Sequence, residues 1–195
     1  MFTSLLAYLG LALIMAVSML LLIGQNHRVS MLLLAVQYLA VFLLIFQVWP
    51  LGLAAIKMIV GWMGVAILAA TIFQKNDFPD SDSGISSRLF RLLLGVLVWV
   101  LFFIIAPSFA RWLPVPNVFL WSGGILLGVG LLQLGTSGSP LRVIIGLLTV
   151  ISGFEILYAA VENSTLVTVL LAVVTLGLAL VGTYMLNSTK TEESS

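Results

Sequence analysis

Residues Leu51–Phe73 read LGLAAIKMIVGWMGVAILAATIF, an apolar run broken by a single charge, Lys57. At about 1.5 Å of rise per residue, a helix of this length spans the roughly 30 Å hydrocarbon core of a bilayer. An ammonium at the centre of such a helix costs about 2.5–3.5 kcal/mol on insertion scales, so a lysine there marks a functional or paired position by default. Lys57 lies about 9 Å below the start of the run, close enough for its long stem to snorkel outward. Its neighbours point the other way. Ala54, Gly61 and Gly64 share its helical face, a small-residue surface on which a second helix packs closely, so the lysine is expected to face protein.

The rest of the chain has the same character. It is 62% hydrophobic and 8% charged, whereas soluble domains run near 45–50% and 25%. The expectation is an all-α integral membrane protein held in the lipid bilayer. There is no cysteine and one histidine, His27, so thiolate or imidazole sites for iron–sulfur, haem or structural zinc are not expected, and no cofactor is assigned. A formal charge of +1 gives no basic face for a nucleic acid.

Seven spans are read: Leu5–Ile23, Ser30–Val48, Leu51–Phe73, Leu89–Ala106, Val118–Leu134, Leu141–Ala160 and Leu166–Leu186. The first is expected to be a retained helix rather than a cleaved signal, lacking a charged start and a small-residue cleavage site. Between spans lie GQNHRVS, WPLG, QKNDFPDSDSGISSR, PSFARWLPVPN, GTSGSP and VENST. Arg28, Lys75, Arg88, Arg91, Arg142 and Lys190 fall on one side and Arg111 on the other. By the positive-inside rule the N-terminus is outside and the C-terminus cytoplasmic, in a multi-pass protein of the cell inner membrane. Arg91 and Arg142 are expected to snorkel at the cytoplasmic ends.

The organisation expected is a three-helix unit (1–73), a polar cytoplasmic loop (74–88), a linking helix with a proline-rich connection (89–117), a second three-helix unit (118–186) and a polar tail (187–195). The loop's DSDSG, Asp80 to Gly84, echoes a calcium loop but lacks the remaining ligands and distal glutamate, and reads as solvated linker. Gly124, Gly128 and Gly130 mark a close helix contact in the fifth span.

Glu155, in ISGFEILYAAVEN, lies at a depth similar to that of Lys57 and on the same side. Ser152, Ala159 and Glu162 share its face, a polar stripe running outward to Glu162 at the boundary. A carboxylate at that depth needs a partner, a proton or water, and Lys57 is matched in depth and opposite in sign. A structural pair and a proton relay look alike at this level. Gln37, nearer mid-membrane, reads as interhelical glue or as a group that hydrates a polar track. Tyr38 and Tyr158 read as interface anchors or buried donors. No nucleophile–base–orienter set, metal triad or phosphate loop is present, so the chain is expected to be non-catalytic by itself.

NHRVSMLLLAVQYLAVFLLIF (26–46), AAIKMIVGWMGVAILAATIFQ (54–74) and LRVIIGLLTVISGFEILYAAVEN (141–163), with the polar loop and proline connection between them, resemble component E of hydrogenase-4-type membrane complexes. That family is similar to the small K subunit of NADH–quinone oxidoreductase. GFEILYAA, Gly153–Ala160, looks like the K subunit's glutamate-bearing second helix, and the first three helices look like a diverged unit of the same kind or like the J subunit. The resemblance implies a small membrane subunit between larger antiporter-like membrane subunits and a redox or hydrogenase arm, lending charged residues to a proton or sodium path. Glu155 would take the K-subunit glutamate's place and Lys57 that of component E's third-helix lysine. Two departures stand: Gln37 replaces an ionisable residue, and LVTVLLAVVTLGLALVG (166–182) has no second glutamate. The other readings are a structural or assembly subunit with one Lys–Glu bridge, and a free-standing small-solute transporter.

Overall fold

The structure, a computed structural model, describes residues 2–24, 26–74, 84–112 and 115–193. They form α1 (Phe2–Ile23), α2 (His27–Ile45), α3 (Leu51–Gln74), α4 (Ile85–Phe109), α5 (Asn117–Thr136), α6 (Pro140–Val161) and α7 (Thr165–Glu193). All seven are long and apolar enough to cross a membrane, and no strand occurs among the described residues. In hydrocarbon each backbone N–H and C=O must be satisfied within the chain, and a continuous helix does this for every interior residue.

The helix ends depart from the sequence expectations for local reasons. α2 begins at His27 rather than Ser30 because the Asn26 side chain accepts from the Arg28 and Val29 amides at 3.0 and 3.4 Å, capping the helix. Pro107, expected in the connection, lies within the last turn of α4, which runs on to Phe109. A proline so near the end interrupts little of the ladder, and Ala110 N–H still reaches Ala106 O at 2.9 Å. α7 continues past Leu186 to Glu193, so most of the stretch expected to be a tail is helical. In the calcium-loop echo, Asp80 to Ser83 lie outside the described residues.

The helices form two stacked layers, α1–α2–α3 and α5–α6–α7. Neighbours pack within each layer, and α1 lies on α5, α2 on α6 and α3 on α7. Of the side-chain hydrogen bonds that cross between the layers, three share one spacing. Gln133 Nε2 donates to Leu21 O at 3.0 Å, Gln37 Nε2 to Thr149 Oγ1 at 3.4 Å, and Thr71 Oγ1 pairs with Thr183 Oγ1 at 3.4 Å. Each joins residues 112 apart. A constant difference of residue numbers is what two units stacked in the same sense and in register produce; antiparallel stacking would instead hold the sum constant.

α4 packs on α5 and α1. Gly124 and Gly128 of α5 receive the Phe102 ring and Val98 of α4, while Gly123 and Gly130 bring α5 against the backbone of α6 at Gly153 and Gly146. Gly61 lies under the Tyr38 ring, and Gly64 faces Ala179 and Thr175 of α7. Arg142, expected to snorkel, is half-buried, and its Nη2 donates to Gly24 O just past the end of α1 at 2.6 Å.

Gly124→Val forces branched atoms into the Phe102 ring and is expected to destabilise the bundle by about 1–3 kcal/mol, as overpacking does. Gly135→Ala meets nothing within 4 Å and is expected to leave stability unchanged or slightly raised. Thermal unfolding of the detergent-purified variants checks the contrast.

Candidate functional site

The polar groups gathered around Lys57 come from three helices. α3 brings Lys57, α6 brings Thr149, Ser152 and Glu155, and α2 brings Gln37 and Tyr38. Spacing explains the α6 set. Residues three and four apart stand one above the other on a helix, so Ser152 and Glu155 share the inward face with Thr149 one turn away.

Lys57 Nζ donates to Glu155 Oε1 at 2.5 Å. Lys57 is 5% exposed and Glu155 2%, so the pair is shielded from whatever lies outside the bundle. α3 and α6 share little backbone contact, and the lysine stem bridges the gap between them. Ala54, on the lysine's face, is wholly buried as well. With Gly61 lacking a Cβ, the Tyr38 ring packs directly against α3 and its hydroxyl comes beside Ser152, within electrostatic reach of Glu155. That hydroxyl completes no hydrogen bond of good geometry, and neither does Gln37 Oε1.

The hydroxyls of Thr149 and Ser152 donate to their own helix, to Ile145 O at 2.8 Å and Leu148 O at 2.9 Å. Their oxygens keep free acceptor sites facing the cluster. Thr149 uses one to accept from Gln37. The resulting series of polar atoms runs from Lys57 and Glu155 past Ser152 and Tyr38 to Thr149 and Gln37, toward the middle of α6 and α2.

In the other direction along α6 stand aromatic rings. Tyr158, one turn beyond Glu155, stacks on Phe154 and meets Trp49 edge-on at 6.5 Å between centroids. Trp49 Nε1 donates to Glu162 O at 3.2 Å, tying the entry to α3 to the end of α6. Glu162 enters this arrangement through its backbone; the residue itself is exposed at the end of α6 and stands apart from the ion pair.

The structure thus brings together Lys57, Glu155, Ser152 and Gln37 and leaves Glu162 outside. Thr149 carried no sequence signal, because a lone threonine in a membrane helix most often bonds only its own backbone. Tyr38 stood out as a tyrosine in an apolar span, but only the glycine opposite it shows which way it turns. Among the described residues no three His, Cys, Asp or Glu side chains gather as a metal site would require.

Compared with protein-family models, curated proteins and solved structures, the chain matches none. The reading of its function therefore rests on the chemistry of this cluster. A carboxylate and an ammonium in low dielectric, beside a phenol and an amide with unused hydrogen-bonding capacity, can hold a proton in more than one place. They can also lock two helices together.

Removing one partner leaves the other as an uncompensated buried charge, which costs about 3–5 kcal/mol. Lys57→Met and Glu155→Gln should each destabilise the protein by an amount of that order, and the double variant by clearly less than the sum. A double-mutant cycle on unfolding in mixed micelles checks the coupling; additive losses would mean the two groups do not interact.

Proposed function

We propose that this chain is a non-catalytic membrane subunit of an ion-translocating complex, related to NADH–quinone oxidoreductase or to hydrogenase-4, in which Lys57 and Glu155 belong to a proton or sodium path. The observation that carries the reading is the enclosed Lys57–Glu155 pair with the unused polar atoms of Gln37 and Tyr38 on its mid-membrane side. Ionisable residues within membrane spans face bundle interiors or cavities and mark ion and proton pathways. The likeness of the Lys57 and Glu155 segments to component E and the K subunit supports the same reading. Such a subunit supplies fixed charge and proton-holding groups, while the driving redox chemistry or gradient resides on larger antiporter-like subunits and a redox or hydrogenase arm. With the basic loops in the cytoplasm, the pair lies toward the outer face of the inner membrane.

One observation favours a second reading. Because α3 and α6 otherwise hardly touch, the pair is itself a tie between the layers, as a purely structural bridge would be.

Exchanging the charges separates the two. In Lys57→Glu/Glu155→Lys the bridge can re-form, so assembly should recover from the loss seen in either single exchange. On the ion-path reading, coupled ion transport in membrane vesicles from the native host should stay at least about tenfold down, because the proton-holding carboxylate has moved to another helix. Recovery of transport together with assembly would leave only the structural role. Gentle-detergent purification with mass spectrometry should recover antiporter-like subunits with the chain; isolation as a single species active in liposome transport would overturn the subunit assignment.

A further inference from the structure

One turn from the ion pair, toward the start of α3 and the end of α6, both helices carry an alanine. Ala54 precedes Lys57 by three residues and Ala159 follows Glu155 by four, each on the face of its charged neighbour. α3 and α6 share little backbone contact, and a methyl group cannot bridge a gap that takes a lysine stem to cross. Ala54 is nevertheless wholly buried and Ala159 only 2% exposed. Trp49 belongs to the same continuous core cluster as both alanines and is itself 4% exposed. Its ring meets Tyr158, the residue before Ala159, and its Nε1 reaches Glu162 O at 3.2 Å, three residues beyond Ala159. The indole thus extends from the entry of α3 to the end of α6.

The way Trp49 is held separates its backbone from its side chain. It lies on the short connection between α2 and α3, where its N–H donates to Ile45 O at 2.9 Å. Pro50 follows it, restricting its backbone, and Pro50 O accepts from the Leu53 and Ala54 amides at 3.0 and 3.2 Å. The indole, by contrast, is tied by one hydrogen bond to the carbonyl of Glu162, an exposed residue just past the end of α6. Water can replace that bond at little net cost. Turning the indole about its side-chain torsions therefore breaks one hydrogen bond and one ring contact and unfolds no helix.

We infer that Trp49 is the outer gate of the ion path: its indole, seated over Ala54 and Ala159, separates the Lys57–Glu155 pair from the outer face, and turning it away opens the pair from that side. Glu162 stands at the mouth of this gate. Its carbonyl holds the indole closed, and its exposed carboxylate attracts cations to the opening. What passes the gate rests on the ion-path reading proposed above, and the face it opens to rests on the cytoplasmic placement of the basic loops.

Thiol accessibility tests the gate. The chain has no cysteine of its own, so Ala54→Cys or Ala159→Cys reports alone in the full chain. Sealed native-host membranes are probed with a membrane-impermeant methanethiosulfonate from each side in turn. With Trp49 in place both thiols should react slowly, and Trp49→Ala should speed their reaction from the outer side by at least about tenfold, since reactivity follows exposure. Trp49→Phe keeps a ring but loses the bond to Glu162 O; its rate should fall between, and it carries the test where Trp49→Ala does not accumulate. Ala179→Cys, wholly buried on α7, should stay unreactive throughout. Fast reaction with Trp49 in place, no acceleration in the Trp49 variants, or acceleration from the cytoplasmic side alone would overturn the inference. Equal acceleration at Ala179→Cys would mean a loosened bundle and would overturn it as well. Labelling is read without transport, so failure of the ion-path reading in the charge-exchange variant leaves this result standing, and failure here leaves that reading untouched.

Discussion

The Lys57–Glu155 pair imposes the strictest condition on this bundle, because neither charge is tolerable at its depth without the other. Attraction between opposite charges grows as the surroundings lose polarity, but so does the cost of removing each from water. The pair is therefore stable only while the packing around it holds the two groups together. Gly61 lets Tyr38 approach, buried Ala54 lets α3 pack closely, and Trp49 fastens the entry of α3 to the end of α6. These small and aromatic residues are positioned around a charge they do not themselves carry.

The two layers differ at this point. At the offset of 112 seen in the cross-layer hydrogen bonds, Glu155 corresponds to Leu43 and Lys57 to Val169. The backbone plan is repeated but the charges are not. Gln37 and Thr149 are the point where the repeat and the cluster coincide: they occupy matching places in the two layers and bond to each other. An amide and a hydroxyl suit that place, since both donate and accept and neither carries a charge that needs a counterion.

Hydropathy made the seven spans legible, because the bilayer demands about 20 apolar residues per crossing whatever the helices pack against. The pairing of Lys57 with Glu155 was legible for a similar reason: depth along a membrane helix follows directly from residue count. What the sequence could not convey was direction around the helix axis in spans that are apolar on every side. Gly124 could be read as a close contact, but not that Phe102 fills it. Arg142 looked like a residue reaching for the surface, and only the nearness of Gly24 O gives it an interior partner. Asn26 could have been read as the cap that starts α2 three residues early, since an Asn before a helical run is a standard start signal.

Stacking two three-helix layers in the same sense has a consequence of parity. Three crossings leave the chain on the face opposite the one where it started, so a second triplet of the same orientation cannot begin there. One additional crossing is compulsory, and α4 supplies it. Its role as a return stroke explains why it lies at the margin of the layers, packed chiefly on α5 and α1 among the described residues, with most of its surface turned outward. Any polypeptide long and greasy enough to make the crossing would meet the topological need, so features of α4 beyond length and greasiness, such as Arg91 and the face that meets the α5 glycines, answer to something other than topology.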